Sequence, residues 1–272
     1  MTGSKDMPAD TRAYFPRQLF EAQFCATPQY PPKGTDLRNH VAIITGSNTG
    51  LGYESARQLL ALQLSHLVIA VRSISKGEAA ATRLRQQYPK ATIEVRPLDM
   101  SDYSSIQAFV RNIQDLPRID YVILNSGLIG QTFQANSSTG HEETFQVNYL
   151  STVLLAMLLL PELKARNRGA GSKPPIMTLV NSGLSTAARF KHSKASPLVP
   201  SFDDPKNFDM DRYNVTKLLA HMWLWKLAEY VSAEDVIVSL VDPSYVKGTE
   251  LHRDAGGAVS TCLMSPHTGS PS

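Results

Sequence analysis

The chain has 272 residues, of which 42% are hydrophobic and 19% charged, and 27 Lys plus Arg against 24 Asp plus Glu give a formal net charge of +3. This apolar content can fill a core, so the composition excludes a disordered polymer, and the near-neutral charge gives no support for a nucleic-acid surface. Two cysteines, Cys25 and Cys262, are too few for a disulfide framework or a cysteine-based metal site.

The N-terminal segment carries several prolines and no periodic apolar pattern, which predicts an extension on the surface. Phe15, Phe20 and Phe24 are candidates for anchoring it to the body of the protein. The first ten residues are polar and lack the apolar stretch of a signal peptide, which favours a cytoplasmic protein. We expect three regions, namely the extension 1–36, a single domain 37–253 and an irregular tail 254–272.

From Val41 onward, short apolar runs alternate with stretches of helical spacing. The predicted strands are Val41–Thr45, Leu67–Val71, Thr92–Pro97, Tyr121–Leu124, Ile176–Val180 and Val236–Val241. The predicted helices are Leu51–Leu64, Gly77–Tyr88, Tyr103–Leu116, Gly140–Lys164 and Tyr213–Ser232. Short apolar strands that alternate with helices predict a parallel sheet covered on both faces. The fold class is therefore α/β, a Rossmann-like doubly wound parallel sheet of about six strands with helices on both faces.

Two of these helices carry more apolar surface than one sheet face requires. Val153–Leu160 is apolar almost all round, and Tyr213–Val231 carries a run of Leu, Met and Trp. The surplus favours a homodimer through the two long apolar helices, the alternative being deep packing within one chain. Val153–Leu160 is also the longest apolar run, and it is far shorter than the roughly 20 residues that cross a bilayer, so we predict no membrane span.

The segment Thr45–Gly52, TGSNTGLG, lies between the first predicted strand and the first predicted helix. Glycines there let the backbone turn sharply and approach a pyrophosphate, and the helix N-terminus offers free N–H groups to it. The segment therefore predicts a dinucleotide-binding loop, the alternative being a glycine-rich turn without a ligand. The residues assigned to the cofactor here are Gly46, Ser47, Asn48, Gly50, Leu51 and Gly52.

The residues after the second predicted strand indicate which dinucleotide binds. Arg72 and Ser73 stand where a carboxylate would hydrogen-bond the ribose 2′-OH of NAD, and neither is acidic. An arginine fork is suited to the 2′-phosphate of NADP, so the sequence favours NADP(H). Lys76 adds a second positive charge, unless it is a solvated lysine at the start of a helix.

Tyr213 and Lys217 are four residues apart at the start of a predicted helix, which puts both side chains on one face. A free tyrosine titrates near ~10 and is a poor acid or base at neutral pH. A neighbouring ammonium favours the phenolate. We therefore expect Lys217 to lower the pKa of Tyr213 and to make it a usable acid or base.

These segments belong to a longer series of motifs in a fixed order. The series is TGSNTGLG at 45–52, LDM at 98–100, LNSG at 124–127, QVNYLS at 146–151, VNSG at 180–183, YNVTK at 213–217 and VDPSYVKGT at 241–249. Together the motifs resemble the short-chain dehydrogenase/reductase family, in particular a fungal, retinol-dehydrogenase-like branch. The resemblance covers nearly the whole chain apart from its two ends.

The resemblance implies roles for four catalytic residues. Tyr213 would be the general acid/base that protonates a carbonyl oxygen or takes the proton of an alcohol, and Lys217 would hold the nicotinamide ribose. Ser182 would hydrogen-bond the substrate oxygen, unless it is a plain turn serine. Asn148 would hold a water that relays protons toward Lys217, unless it only satisfies the helix around it.

The resemblance also implies further cofactor contacts. Asp99 would hydrogen-bond the adenine, or cap the helix that begins near Tyr103, or do both. The remaining assignments are Asn125, Ser126 and Gly127 along the adenine ribose, and Pro243, Val246 and Thr249 along the nicotinamide. The histidines have no metal-ligand spacing, so we expect no metal.

The chain departs from the family pattern near its C-terminal end. Pro243-Ser244 stands where the family usually has Pro-Gly, and a serine forced into a left-handed backbone conformation there would cost on the order of 1 kcal/mol. The family continues to a further helix and a seventh strand. We therefore expect a C-terminally truncated chain that lacks this strand and leaves Val236–Val241 as an exposed apolar edge.

The stretch between Ser182 and Tyr213 is longer than in many relatives and carries Phe190, Phe202, Phe208 and Met210. We expect this insert at the mouth of the active site, where it would shape a pocket for a bulky apolar substrate, unless it decorates the surface. The expected function is then an NADP(H)-dependent oxidoreductase that interconverts a ketone and a secondary alcohol on a lipophilic substrate of secondary metabolism. The alternatives are a catalytically impaired, truncated member that binds NADP without turnover, or a truncated product that folds poorly.

Overall fold

Short runs of apolar and β-branched residues form the six strands of one sheet in the computed structural model, which describes residues 29–166, 173–246 and 251, together with 17, 20–25 and 27. The strands are β1 (Val41–Thr45), β2 (His66–Val71), β3 (Thr92–Pro97), β4 (Tyr121–Leu124), β5 (Ile176–Val180) and β6 (Ile237–Val241). All pairs are parallel, in the order β3-β2-β1-β4-β5-β6. Every strand lies within one residue of its predicted position.

The helices lie in two layers. They are α1 (Gly50–Ala61), α2 (Ile74–Gln87), α3 (Tyr103–Asn112), the short α4 (Glu143–Phe145), α5 (Thr152–Arg166) and α6 (Arg212–Leu227). Because successive side chains of a strand point to opposite faces, Ile43 packs in one core with α3 and α5, whereas its neighbour Ile44 packs in the other with α1 and α2. Helices on both faces of a parallel sheet confirm the predicted doubly wound α/β fold.

The helix ends differ from the predicted ones because capping side chains set them. Helix α2 begins at Ile74 rather than at Gly77, since the Ser73 side chain accepts a hydrogen bond from the backbone N–H of Lys76 (3.4 Å). Helix α4 begins at Glu143 rather than at Gly140, because the Glu142 carboxylate accepts the N–H groups of Thr144 and Phe145, each at 2.9 Å.

Helices α4 and α5 are joined by a π-helical segment, Gln146–Ser151, which makes one helix from Glu143 to Arg166. By length and composition this helix could cross a membrane, but 61% of its most apolar window is buried inside the protein. Leu155, Leu159 and Leu163 are fully buried against the sheet. The helix therefore packs as a core helix of the α/β domain.

Strand β6 lies at the edge of the described sheet and pairs with β5. Its residues are only partly buried, and Val241 is 39% exposed. Within the described residues this agrees with the predicted exposed edge. The predicted tail 254–272, Cys262 and Phe15 lie outside the described residues.

Candidate active site

The carboxyl ends of the parallel strands open into a cavity of about 400 Å³. This is where ligands bind in open α/β sheets, because β1 pairs with both β2 and β4 and the loops diverge there. The predicted residues that line the cavity are Gly46, Asn48, Gly50, Leu51, Arg72, Lys76, Asp99, Asn125, Ser126, Gly127, Ser182, Tyr213, Lys217, Pro243 and Val246. The structure thus brings most of the predicted site together.

Two glycines of the loop after β1 lie where there is no space for a side chain. Gly46 has φ +63°, and a Cβ there would lie 2.9 Å from Ser126 Oγ. A Cβ on Gly52 would lie 2.6 Å from Asn125 Nδ2 and 2.8 Å from the Gly46 carbonyl oxygen. The loop leads directly into the N-terminus of α1, which begins at Gly50. The loop and the free N–H groups of this helix end form a cradle that fits the phosphates of a dinucleotide.

Hydrogen bonds fix this loop to the end of β4. Thr45 Oγ1 accepts the N–H groups of Asn125 and Ser126, both at 2.9 Å. In return, Asn125 Nδ2 donates to the carbonyls of Thr45 (2.9 Å) and Gly46 (3.3 Å). Asn125 therefore shapes the cradle through its side chain, which the motif alone did not indicate.

Two residues predicted to touch the cofactor do not line the cavity. Ser47 is fully buried and donates through Oγ to the Ile44 carbonyl at 2.9 Å, because its side chain turns toward the sheet. Gly52 lies behind the loop, where its lack of a side chain admits Asn125. Ser47 and Gly52 thus help to hold the shape of the loop, and their contact with the cofactor stays a prediction.

At the other side of the cradle, Arg72 and Lys76 are exposed cations at the start of α2. The Asp99 carboxylate also lines the cavity and accepts the N–H of Ser101 at 2.9 Å. It does not cap α3, because the adjacent Asp102 does so by accepting the N–H of Ser104 at 2.8 Å. The capping alternative for Asp99 is therefore wrong.

Ser182, Tyr213 and Lys217 meet at the far end of the cavity. Tyr213 lies in the first turn of α6, and its phenol forms a hydrogen bond with the Ser182 side chain. Lys217 lies one turn later, with Nζ 5.6 Å from the centroid of the Tyr213 ring. Lys217 Nζ donates to the Val180 carbonyl at 2.9 Å, so the end of β5 holds the ammonium under the ring.

Burial dominates the protonation of this pair. It raises the pKa of Tyr213 to about 12, with the hydrogen bond from Ser182 opposing the shift and the charge of Asp242 adding to it. Burial also lowers the pKa of Lys217 to about 8. The expected lowering of the Tyr213 pKa by Lys217 is therefore not found in this geometry, because the ammonium is itself desolvated and faces a carbonyl.

Asn148 lies behind the cavity wall in the π-helical segment rather than in a regular helix. Its Oδ1 accepts the N–H of Leu128 (2.9 Å) and its Nδ2 donates to the Leu128 carbonyl (2.8 Å). These two hydrogen bonds hold Leu128 in the segment after β4. The neighbouring Gly127 lies close to the same amide, since a Cβ at Gly127 would be 3.3 Å from Asn148 Oδ1.

A second, much smaller cavity of about 10 Å³ lies between Asn148, Asn181 and Lys217. Asn181 Nδ2 donates to the Lys217 carbonyl at 3.2 Å, whereas Asn181 Oδ1 is buried and has no hydrogen-bond partner among the described residues. A buried acceptor beside a buried ammonium is the setting that an internal water satisfies. Asn181 belongs to the motif VNSG, but the sequence carries no sign that its side chain faces Lys217, because that depends on the fold.

The wall after β6 also departs from regular structure. Ser244 has φ +57°, which confirms the left-handed backbone that the Pro-Ser replacement called into question. Its N–H donates to the Asp242 carboxylate at 3.0 Å. Pro243 and Val246 line the cavity as predicted, together with Tyr245 and Leu251, whereas Thr249 lies outside the described residues.

The four large apolar residues singled out in the insert before α6 pack away from the cavity. Phe202 is fully buried and stacks on Phe145 of α4 with ring centroids 4.0 Å apart. Phe190 packs against the same cluster, and Met210 is 59% exposed. Phe190, Phe202, Phe208 and Met210 do not line the described cavity, whereas Leu184, directly after Gly183 of the VNSG motif, does. The insert instead braces the start of α6.

Comparisons with known proteins agree with this geometry. A family model described as short chain dehydrogenase matches residues 40–171. The chain is 54% identical to the short chain dehydrogenase/reductase mfmJ of Annulohypoxylon moriforme, over 99% of this chain and 79% of that protein. It is 43% identical to the short chain dehydrogenase opdN of Penicillium oxalicum, over 89% of this chain and 78% of that protein.

Solved structures share the fold at low sequence identity. A short-chain dehydrogenase from Sphingobium yanoikuyae in complex with NADPH aligns with a TM-score of 0.58 and 19% identity, over 80% of this chain and 75% of that one. The NADPH-dependent 3-quinuclidinone reductase from Rhodotorula rubra aligns with a TM-score of 0.57 and 18% identity, over 80% and 74%.

Proposed function

The chain belongs to the short-chain dehydrogenase/reductase family, and from this premise we propose that it uses NADP(H) to interconvert a ketone and a secondary alcohol. The single observation that carries the proposal is the meeting of Ser182, Tyr213 and Lys217 at the end of a glycine-cradled cavity. A protein that only bound a dinucleotide would not need a phenol, a hydroxyl and an ammonium in this arrangement.

The proposed cofactor fits the residues present. The cradle of Gly46 and Gly50 would hold the pyrophosphate, and Asp99 and Ser126, which line the same cavity, would lie along the adenosine. Arg72 and Lys76, with the N-terminus of α2, would hold the 2′-phosphate, since no carboxylate stands at the end of β2 to bind a 2′-OH. The bound nicotinamide supplies the hydride that goes to the carbonyl carbon.

Tyr213 acts as the acid in the direction of reduction. With a pKa of about 12, its phenol keeps its proton at neutral pH and can donate it to a carbonyl oxygen that gains negative charge. The Ser182 hydroxyl hydrogen-bonds the same oxygen and steadies the phenolate that remains. Lys217, with a pKa of about 8, is mostly protonated at pH 7 and places its positive charge under the ring.

We place the proton relay in the small cavity behind Lys217. A water there would accept a hydrogen bond from Lys217 and donate to Asn181 Oδ1, next to the helix that carries Asn148. Asn148 serves the relay by fixing Leu128 and the cavity wall. Tyr213 is then reprotonated through Lys217 after each turnover.

The proposed substrate is a lipophilic carbonyl compound or alcohol. Ile129, Leu184, Tyr245, Val246 and Leu251 line the cavity, and Leu184 and Val246 are each more than a third exposed. An apolar lining around a few convergent polar groups is typical of pockets for small organic molecules. A cytoplasmic role in secondary metabolism fits such a substrate and the fungal relatives.

We also propose a homodimer through α5 and α6. Met157 of α5 and Met222 and Trp225 of α6 are 48%, 55% and 76% exposed. Large apolar side chains on adjacent long helices are characteristic of surfaces that a partner covers.

Oxidation of NADPH against a panel of aliphatic and aromatic ketones tests the proposed reaction. We expect Tyr213→Phe to lower turnover by about 10²- to 10⁴-fold, since the general acid is lost, and to leave NADPH binding within twofold. Tyr230→Phe, at an exposed tyrosine beyond the same helix, is the matched control and should behave as wild type. Turnover that survives Tyr213→Phe would overturn the mechanism, and NADPH binding without turnover on any ketone would favour the binding-only alternative.

A further inference from the structure

Where the structure describes the N-terminal segment, the side chain of Gln23 forms hydrogen bonds with the cavity wall. The N–H of Tyr245 donates to Gln23 Oε1 at 2.7 Å, and Gln23 Nε2 donates to the Tyr245 carbonyl at 3.1 Å. The two residues are 222 positions apart in the chain. One side-chain amide thus satisfies both backbone groups of a single residue, as the neighbouring strand of a sheet would.

The contact lies in the segment 242–246, which follows β6 and has no regular secondary structure. Strand β6 ends at Val241, and the next residues line the cavity without strand or helix pairing of their own. Ser244, directly before Tyr245, holds a left-handed backbone (φ +57°) that a non-glycine residue adopts only when its surroundings impose it. Asp242 supports this turn from one side, and Gln23 supports it from the other.

The N-terminal segment presents Gln23 to the wall through a short helix. Glu21–Cys25 forms a π-helical turn in which Gln23 and Phe24 are partly buried, whereas Glu21 and Cys25 are exposed. The rings of Phe20 and Phe24 pack with centroids 4.8 Å apart. Phe20 is 59% exposed and Phe24 is partly buried, and the Gln23 amide supplies a specific polar contact beside them.

We propose that Gln23 is a positioning residue that fixes the wall Pro243–Val246 at the nicotinamide end of the cavity. Pro243, Tyr245 and Val246 face the same cavity as Tyr213 and Ser182, so their placement sets the space for the nicotinamide and the substrate. The consequence for cofactor binding rests on the proposed function, whereas the ordering of the wall does not.

Hydrogen exchange of the cofactor-free full chain tests the ordering. In Gln23→Ala, we expect the Tyr245 amide to exchange roughly tenfold faster, because its acceptor is lost. Glu21→Gln breaks only the exposed Arg17–Glu21 ion pair on the same segment and should leave the exchange of residues 242–246 unchanged. Equal exchange in wild type and Gln23→Ala would overturn the proposal, whatever the enzyme's activity.

The effect of the wall on cofactor binding is tested by a second set of measurements. These are the Kd for NADPH from fluorescence titration and the KM and kcat from steady-state kinetics. We expect Gln23→Ala to raise the Kd and KM about three- to tenfold at nearly unchanged melting temperature, since the two hydrogen bonds of the amide no longer hold the wall. Gln23→Glu keeps the acceptor for the Tyr245 N–H but loses the donor to its carbonyl. Its Kd and KM should therefore lie between those of wild type and Gln23→Ala.

Faster exchange with unchanged Kd, KM and kcat would overturn the positioning role. A wild-type chain that binds no NADPH would overturn the proposed function and the consequence for the cofactor. In that case the exchange comparison would still decide whether Gln23 holds the wall.

Discussion

At the scale of single residues, burial rather than pairing decides the protonation of the catalytic groups. Tyr213 and Lys217 share one helix face, yet the Lys217 ammonium is buried and donates to the Val180 carbonyl. A spacing of four residues predicted their proximity but carried no information on how far each is desolvated. The direction of the Tyr213 shift therefore became visible only in the folded chain.

The burial of Lys217 makes stability depend on pH. Its pKa is about 8 in the folded chain against 10.5 for the free group, so between these values the unfolded state binds more protons and stability rises with pH. We expect the free energy of unfolding of the cofactor-free protein to rise by about 2 kcal/mol from pH 8 to 10. Above pH 10 the sign reverses, since Tyr213, with a pKa of about 12, keeps its proton longer in the folded state.

Urea titrations at pH 7, 8, 9 and 10 measure this dependence. The Lys217→Met variant should lose the rise, because the titrating group is gone. A rise of the same size in both proteins would show that another group causes it.

Ser244 offers a second test at this scale. Its φ of +57° suits glycine, so Ser244→Gly should raise the free energy of unfolding by about 0.5–1 kcal/mol, less the entropy that glycine adds to the unfolded chain. Ser244→Val should act in the opposite direction, since a β-branched residue is disfavoured at positive φ. Thermal denaturation of the two variants measures this difference in stability. A Val variant as stable as the Gly variant would contradict the left-handed backbone at position 244.

At the scale of elements, the sequence predicted the positions of the strands better than the structure of the segments that connect them. Apolar β-branched runs bounded by turn residues located β1 to β6 within one residue. The π-helical segment Gln146–Ser151 had no such signal, because its composition is that of an ordinary helix. Likewise the glycine loop was located correctly, yet its spacing could not show that Ser47 turns inward. The contact of Gln23 with Tyr245, across 222 residues, depends on the finished fold.

The start of α6 is held by a buried ion pair that the sequence motifs do not indicate. Arg212 and Glu142 are almost fully buried, with 3.8 Å between Nη1 and Oε2. The Arg212 guanidinium also lies over the Phe202 ring, 4.8 Å from its centroid, and donates to the Phe202 carbonyl at 2.9 Å. Arg212 therefore fastens the insert to the helix turn that carries Tyr213.

Removing Arg212 should destabilise the protein strongly. Arg212→Met leaves the Glu142 carboxylate buried without its cation, at a cost of about 3–5 kcal/mol. Adding Glu142→Gln should recover part of the loss, because it removes the unpaired charge and its one amide oxygen can still accept one of the two N–H groups that cap α4. Arg189→Met, at an exposed position of the insert, is the control. A chemical denaturation in which the single and double variants are equally unstable would contradict the role of the pair.

At the scale of the whole molecule, the exposed apolar residues of α5 and α6 bear on assembly. We expect the wild-type chain to sediment as a dimer and Trp225→Glu to sediment as a monomer, since a buried charge at an apolar interface is costly. Tyr30→Glu, at an equally exposed aromatic residue outside these helices, should leave the dimer intact. A wild-type monomer at micromolar concentration would contradict the proposed interface.

The account as a whole depends on the cavity being an NADP(H) site, and a thermal shift titration of the wild-type chain tests this most directly. At NADPH concentrations of about 100 times Kd, mass action adds about 2.7 kcal/mol of stability. For a chain of this size that corresponds to a rise in Tm of roughly 5–10 °C. We predict this rise with NADPH, a clearly smaller one with NADH, and loss of the difference in Arg72→Ala. No shift with either dinucleotide, or an equal shift with both, would contradict the account.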